Sequence, residues 1–72
     1  MSDPITVKLQ SSPTELYKIL KFEGLVASGG EAKQVISDGL VIVNGEVETR
    51  KRKKIVAGDT VQFNNETLEI TD

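Results

Sequence analysis

The 72-residue sequence contains no cysteine, no histidine and no tryptophan. Without cysteine the chain can form neither disulfides nor thiolate metal sites, and without histidine it lacks the commonest general base and metal ligand. These absences argue against most enzyme chemistry. We therefore expect no catalytic site, no bound metal, no cofactor and no small-molecule substrate.

Long apolar runs are also missing. No stretch approaches the roughly 20 apolar residues that span a bilayer, and the start, Met1-Ser2-Asp3-Pro4, lacks the basic and apolar regions of a secretory signal. We expect a cytoplasmic protein without a membrane partner. A chain of 72 residues is near the size at which one hydrophobic core suffices for folding, so we expect a single domain, residues 1–72, that is monomeric.

Charged residues are frequent, but the basic ones are concentrated in one segment. Nine basic and eleven acidic residues give a net charge of −2, yet five of the basic residues are consecutive. Adjacent like charges are tolerated mainly when they are solvated or when a polyanion neutralises them. A solvated loop is the simpler interpretation; we favour phosphate binding because the run falls between two hairpin strands of a folded domain. The run consists of Arg50, Lys51, Arg52, Lys53 and Lys54.

The first half of the chain predicts one strand and two helices. Ile5, Val7 and Leu9 alternate with polar residues, as in a strand with one buried face. The segment Ser12-Pro13-Thr14-Glu15 combines an N-cap, a proline at the first helical position and a glutamate three residues after the cap. It predicts a helix from Pro13 to Glu23, ended by Gly24. A second cap at Ser28 predicts a helix that ends at Asp38, before Gly39.

The second half predicts four short strands. Leu40–Val43, the turn Asn44-Gly45 and residues 46–49 form a hairpin pattern, because Asn-Gly is the strongest short hairpin signal. After the basic run, a turn at 57–59 precedes two further alternating segments, at 61–63 and 68–70. The predicted fold class is α+β, with two helices packed on a small, mostly antiparallel sheet. Phe63 is expected in its core.

Several polar side chains on the predicted helices could add to phosphate binding. Ser28-Gly29-Gly30 opens a helix, where free N–H groups and the helix dipole favour an anion, although by itself the stretch is better explained as a cap and flexible turn. Lys33 lies one turn later, away from the apolar face, and can reinforce that site. Lys18 and Lys21 share one face of the first helix with Tyr17, and an ordinary solvated face explains them equally well.

Glu46 and Glu48 alternate along the predicted hairpin strand and therefore point to the same face. Paired carboxylates could serve acid–base or metal chemistry. A solvated strand face, or electrostatic partnership with the neighbouring basic run, explains them better, because no nucleophile or general base completes a site.

An ordered set of motifs resembles a known family. The stretch 14–63 resembles the S4-like RNA-binding domain, also called the αL motif, and the run 48–58 resembles its small stand-alone bacterial members. The shared pattern consists of Gly24, Ser28, Ala32-Lys33, Gly39, Val41-Ile42-Val43-Asn44-Gly45 and Gly58-Asp59.

The resemblance implies an αL (S4-like) fold and non-catalytic binding of structured RNA, ribosomal or transfer RNA, with the ribosome as a candidate partner. In the family the two helices and the following hairpin place basic side chains on one surface, and Lys33 matches such a position. Many members have Arg-Leu-Asp where this chain has Glu15-Leu16-Tyr17, and arginine where it has Gly29. Binding here is therefore expected to rest more on residues 50–54.

The sequence thus predicts a basic RNA-binding patch, and two alternatives stay open. A protein-interaction adaptor could dock an acidic partner surface on the same patch. A ubiquitin-like carrier would share the order of elements, but such carriers end in Gly-Gly, whereas this sequence ends in Ile70-Thr71-Asp72. The predicted RNA contacts are Lys18, Lys21, Ser28, Lys33, Arg50, Lys51, Arg52, Lys53 and Lys54.

Overall fold

The computed structural model describes residues 3–72. Met1 and Ser2 lie outside the described residues; they belong to the expected domain 1–72 and to the start of the sequence, which lacks the features of a secretory signal. Two helices and seven short strands are present in residues 3–72. In chain order these are β1 (Ile5–Lys8), β2 (Thr14–Glu15), α1 (Leu16–Phe22), α2 (Gly29–Ser37), β3 (Val41–Val43), β4 (Glu46–Val47), β5 (Lys54–Ile55), β6 (Thr60–Phe63) and β7 (Glu66–Thr71).

Five of the strands form one mixed sheet with the order β1-β7-β6-β3-β4. The first and last strands pair in parallel, with Val7 opposite Ile70, and the other pairs are antiparallel. The predicted mostly antiparallel sheet is therefore confirmed. The parallel pair was not predicted, because the alternation of apolar residues in a strand does not identify its neighbour.

The two helices pack against one face of this sheet. Alternate strand residues point into the core, because successive side chains of a strand face opposite sides. Phe63 is half-buried against this core, as expected, whereas Gln62 and Glu69 lie on the other face and are exposed. Full burial of a Leu, Ile or Val side chain contributes about 1.5–3 kcal/mol. The fully or nearly fully buried residues include Leu16, Ile19, Leu20, Ala32, Ile36, Val41, Val61, Leu68 and Ile70.

The predicted start of the first helix at Pro13 is wrong. Thr14 and Glu15 are extended and pair antiparallel with Ile55 and Lys54, forming a separate two-stranded sheet. The helix begins at Leu16, and its N-cap, Glu15, makes no side-chain capping bond. Residues 14 and 15 pair with β5, in which Ile55 is completely buried. This tertiary contact outweighs the helix-start signal of residues 12–15.

The second helix and the hairpin agree with the prediction. The Ser28 hydroxyl oxygen accepts a hydrogen bond from the Glu31 N–H at 3.1 Å, and the Glu31 carboxylate accepts one from the Ala27 N–H at 3.1 Å. Asn44 and Gly45 form the turn between Val43 and Glu46, both with positive φ, as a two-residue hairpin requires. The strand after the turn ends at Val47, two residues earlier than predicted.

Both helices in the part of the chain that the structure describes are too short to cross a bilayer. Helix α1 has 7 residues and α2 has 9, whereas a membrane-spanning helix needs about 20.

Candidate nucleic-acid interface

Residues 50–54, the basic loop, follow β4, end at Lys54 in β5 and dock on the first turn of α1. Strands β4 and β5 belong to different sheets, so the run does not lie between two strands of one hairpin as expected. The Leu16 N–H donates a hydrogen bond to the Lys53 carbonyl at 2.9 Å, and the Tyr17 N–H donates one to the Lys51 carbonyl at 3.2 Å. The first N–H groups of a helix have no partner within the helix, and here the loop backbone supplies it. The basic loop is therefore held in a defined position beside α1.

The guanidinium group of Arg50 binds a carboxylate of its own chain. Arg50 Nε donates to Glu48 Oε2 at 3.0 Å, Arg50 Nη2 donates to Glu48 Oε1 at 3.2 Å, and the Arg50 backbone N–H also reaches Oε2, at 3.2 Å. These bonds hold Arg50 against Glu48 just before the turn at Lys51 and Arg52, in which the Lys53 N–H donates to the Arg50 carbonyl at 3.3 Å. Of the two interpretations of Glu48, partnership with the basic run is the one that the structure supports.

This ion pair shifts the pKa of both groups. The side-chain hydrogen bonds from Arg50 lower the pKa of Glu48, and the backbone hydrogen bond and the positive charges of Arg50 and Lys53 act in the same direction. Desolvation of the carboxylate opposes them, since it raises this pKa. The hydrogen bonds to Glu48, followed by its negative charge, raise the pKa of Arg50.

The second arginine of the basic loop also has a carboxylate partner. Arg52 Nε lies 3.7 Å from Glu15 Oε2, and the other oxygen of Glu15 lies 3.3 Å from Lys18 Nζ. Glu15 thus bridges the basic loop and α1. Within residues 3–72 the remaining cations of the loop, Lys51, Lys53 and Lys54, form no ion pair. These three lysines can meet an incoming anion without first losing a partner.

Tyr17 lies where the basic loop, α1 and α2 meet. Lys33 Nζ is 4.8 Å from the centroid of its ring and Lys18 Nζ is 5.9 Å away, both within the range of cation–π attraction. A Cβ atom added to Gly29 would lie 3.9 Å from Tyr17 Cδ2, so the start of α2 is close to the ring as well. Two cations, one from each helix, therefore lie beside the Tyr17 ring, and the basic loop is bonded to the Tyr17 backbone. Sequence spacing indicated the cations but not that Tyr17 lies beside two of them and is bonded to the basic loop.

The other two predicted contacts lie at the margins of this arrangement. Ser28 is the N-cap of α2, and its hydroxyl oxygen already accepts the Glu31 N–H. Lys21 is exposed in the last turn of α1, one turn after Tyr17. Their contact with RNA stays a prediction, as does that of the other seven residues.

Glu46 and the other acidic residues do not assemble a metal site in residues 3–72, since no three Asp or Glu side chains there are grouped closely enough to hold an ion. Asp59 instead bonds to the side chain of Asn44 and to the backbone. Asn44 Nδ2 donates to Asp59 Oδ1 at 3.0 Å, Asn44 Oδ1 accepts the Thr60 N–H at 2.8 Å, and Asp59 Oδ2 accepts the Val56 N–H at 2.9 Å. These bonds join the hairpin turn to the turn before β6.

Comparison with known proteins identifies related chains of similar length. A model of the S4 domain family matches residues 7–71. The chain is 52% identical over 56 residues to the "Putative RNA-binding protein YbcJ" of Escherichia coli (strain K12), covering 78% of this chain and 80% of that protein. It is 34% identical over 63 residues to the "Probable ribosome maturation protein RlbA" of Bacillus subtilis (strain 168), covering 88% of this chain and 86% of that protein.

The fold is similar to the solution structure of YbcJ from E. coli. The TM-score is 0.74 at 46% sequence identity, over 100% of this chain and 92% of the other. That structure is described as revealing an αL motif involved in RNA binding. The αL fold that the sequence predicts is thereby confirmed, as is the resemblance to small bacterial members of the family.

Proposed function

The chain belongs to the S4 domain family, and from this premise we propose that it is a non-catalytic, monomeric RNA-binding protein of the cytoplasm. Its ligand is structured RNA, ribosomal or transfer RNA. The protein contacts the phosphates of that RNA with the basic loop and with the lysines of the two helices. Phosphate contacts position a protein on its RNA, whereas A-form helices are recognised mainly by shape.

The anchoring of the basic loop at Tyr17, beside lysines of both helices, supports this proposal most directly. The Tyr17 N–H is bonded to the backbone of the basic loop, and its ring is within 6 Å of the ammonium groups of Lys18 and Lys33. Lysines of the two helices and of a basic loop whose backbone is anchored to α1 can contact several phosphates of a folded RNA at once. A cluster on a mobile tail would lose more conformational entropy on binding.

The names of the relatives support the choice of ligand. YbcJ is described with an αL motif involved in RNA binding, and RlbA is named for ribosome maturation. Ribosomal RNA is therefore the first candidate, and an assembling ribosome is the first place to look for the protein. Outside the basic loop the chain has four basic and eleven acidic residues, so most of its remaining surface repels RNA.

The test is a binding titration over a range of salt concentrations. Fluorescence anisotropy would compare a structured RNA, a single-stranded RNA and a DNA duplex, for the wild-type protein and for Lys51→Glu/Lys53→Glu. If four or five phosphates are neutralised, a plot of the logarithm of the affinity for structured RNA against the logarithm of the salt concentration should have a slope of roughly −3 to −4.5. The double variant should bind more weakly and with a flatter slope.

Lys51→Arg/Lys53→Arg is the matched control, because it keeps both charges at the same positions and should retain the slope. A slope near zero for the wild-type protein would refute phosphate binding. Equal, weak binding to all three nucleic acids would indicate that the basic patch binds polyanions nonspecifically. In that case an acidic protein that displaces RNA from the patch would make the chain an interaction adaptor.

A further inference from the structure

The ammonium group of Lys33 contacts an aromatic ring instead of a carboxylate. In the part of the chain that the structure describes, Lys33 forms no ion pair, and its Nζ atom lies 4.8 Å from the centroid of the Tyr17 ring. Lys18 Nζ lies farther from the same centroid, at 5.9 Å, and is also 3.3 Å from a carboxylate oxygen of Glu15. The position of Lys33 therefore depends on the ring, whereas Lys18 has a second partner.

The Tyr17 ring is itself held in place. The Tyr17 N–H donates to the Lys51 carbonyl of the basic loop at 3.2 Å, and the Tyr17 side chain is half-buried against the hydrophobic core. The negative face of an aromatic ring attracts an ammonium group, so a fixed ring can order a flexible lysine. Lys33 is accordingly half-buried, although lysine side chains are mostly exposed. A residue of α1 thus orders a side chain of α2.

The start of α2 leaves room for this contact. Gly29 and Lys33 are four residues apart in α2 and therefore lie on the same face of the helix. The Tyr17 ring approaches that face, since a Cβ atom added to Gly29 would lie 3.9 Å from Tyr17 Cδ2 and 4.0 Å from Tyr17 Cε2. Because glycine has no side chain, only backbone atoms of position 29 lie beside the ring, which can pack closely on the first turn of α2.

We propose that Tyr17 is a positioning residue that holds the Lys33 ammonium group where it meets an RNA phosphate, a proposal that rests on the proposed function. An ammonium group has three N–H donors, so a lysine that lies over a ring can still donate to a phosphate oxygen. A lysine that is already ordered also loses less side-chain entropy when RNA binds. Tyr17 thereby raises the affinity for RNA through Lys33, without stacking on a base.

A double-mutant cycle on Tyr17 and Lys33 tests this proposal, with affinity for a structured RNA as the readout. Tyr17→Leu removes the aromatic face but keeps an apolar side chain and the net charge. It should weaken binding about two- to tenfold, the effect of having to order one lysine on binding. In a Lys33→Gln background Tyr17→Leu should cause no further loss, because the two residues act through one contact. In a Lys18→Gln background the loss should persist.

Two further variants and a measurement without RNA complete the test. Tyr17→Phe should bind RNA like the wild-type protein, because phenylalanine keeps the aromatic face. Phe22→Leu is the matched control, since Phe22 is an exposed ring on the same helix, about 140° around the helix axis from Tyr17. In NMR spectra of the free proteins the Hε protons of Lys33 should lie upfield in the wild-type protein and Tyr17→Phe relative to Tyr17→Leu. Thermal unfolding checks that each variant is folded.

The outcomes distinguish this proposal from the proposed function. If Tyr17→Leu weakens binding equally with and without the Lys33 charge, Tyr17 contacts RNA directly and the positioning role is overturned, while RNA binding stands. The same holds if Tyr17→Leu binds as tightly as the wild-type protein or more tightly, or if Phe22→Leu causes an equal loss. Unchanged Lys33 resonances in Tyr17→Leu overturn the proposal whether or not RNA binds. If the wild-type protein does not bind structured RNA at all, the proposed function itself fails.

Discussion

The five cations of the basic loop have different surroundings in the folded chain. Both arginines contact carboxylates. Arg50 forms a bidentate interaction with Glu48, and Arg52 forms an ion pair with Glu15. A guanidinium group suits this planar two-bond geometry, whereas a lysine ammonium group is a compact and mobile charge. The arginines therefore orient the loop, and the lysines are the side chains best placed to meet phosphates.

The Glu48–Arg50 pair predicts a pH-dependent contribution to stability. Hydrogen bonds from Arg50 lower the pKa of Glu48 in the folded state, so ionised Glu48 favours folding. That contribution is fully present above the pKa of the unfolded chain, about 4.3 for glutamate, and is lost as the pH falls through the lower folded-state pKa. Glu48→Gln should therefore unfold at a slightly lower urea concentration at pH 7, and its difference from the wild-type protein should shrink below about pH 4.

Glu46→Gln is the control for this experiment, since Glu46 is exposed on β4 and forms no ion pair within residues 3–72. It removes one carboxylate from the same hairpin without removing the contact with Arg50. Urea unfolding curves at several pH values measure both variants. A difference between Glu48→Gln and the wild-type protein that is constant with pH would show that the carboxylate acts by packing alone.

At the scale of secondary-structure elements, α2 and α1 show what a sequence can and cannot predict. The start of α2 was predicted because Ser28 and Glu31, which fix it, are three residues apart. The start of α1 was missed because it depends on the pairing of Thr14 and Glu15 with β5, far along the chain. The contact of the basic loop with α1 depends on the same pairing. The cations could thus be identified from local sequence, but the docking of the basic loop on α1 and the position of Lys33 beside Tyr17 could not.

The Asn44 side chain joins two elements and predicts a measurable loss of stability. It bonds to Asp59 and to the Thr60 N–H, which links the hairpin turn to the start of β6. Its backbone has a φ of 52°, a conformation that alanine adopts reluctantly. Asn44→Ala should lower the free energy of unfolding by about 2–4 kcal/mol, from two lost hydrogen bonds and the backbone cost, as measured by urea titration.

Asn64→Ala isolates the backbone part of that effect. Asn64 has a φ of 51° in the turn between β6 and β7, and its side chain makes no hydrogen bond to residues 3–72. Its substitution should cost about 1–2 kcal/mol, the penalty of the left-handed conformation alone. Equal losses for the two variants would show that the side-chain bonds of Asn44 contribute nothing.

At the scale of the whole molecule, the sheet separates the basic loop from the exposed carboxylate of Glu69. The helices and the docked basic loop lie on the side toward which Leu68 and Ile70 point. Glu69, between them in β7, points to the opposite face and is exposed. A net charge of −2 is compatible with RNA binding because an approaching RNA responds to the local potential more than to the sum of charges.

This separation can be tested by moving charge without changing its total. Lys51→Glu lowers the net charge by two and Glu69→Lys raises it by two, so the combined variant has the net charge of the wild-type protein. If phosphates are contacted at the basic loop, Lys51→Glu should reduce the steepness of the salt dependence by about one unit, and adding Glu69→Lys should not restore it. Anisotropy titrations of structured RNA with the two single variants and the combined one measure this. Restoration of both affinity and slope would mean that RNA responds to total charge, and the basic loop would lose its special role.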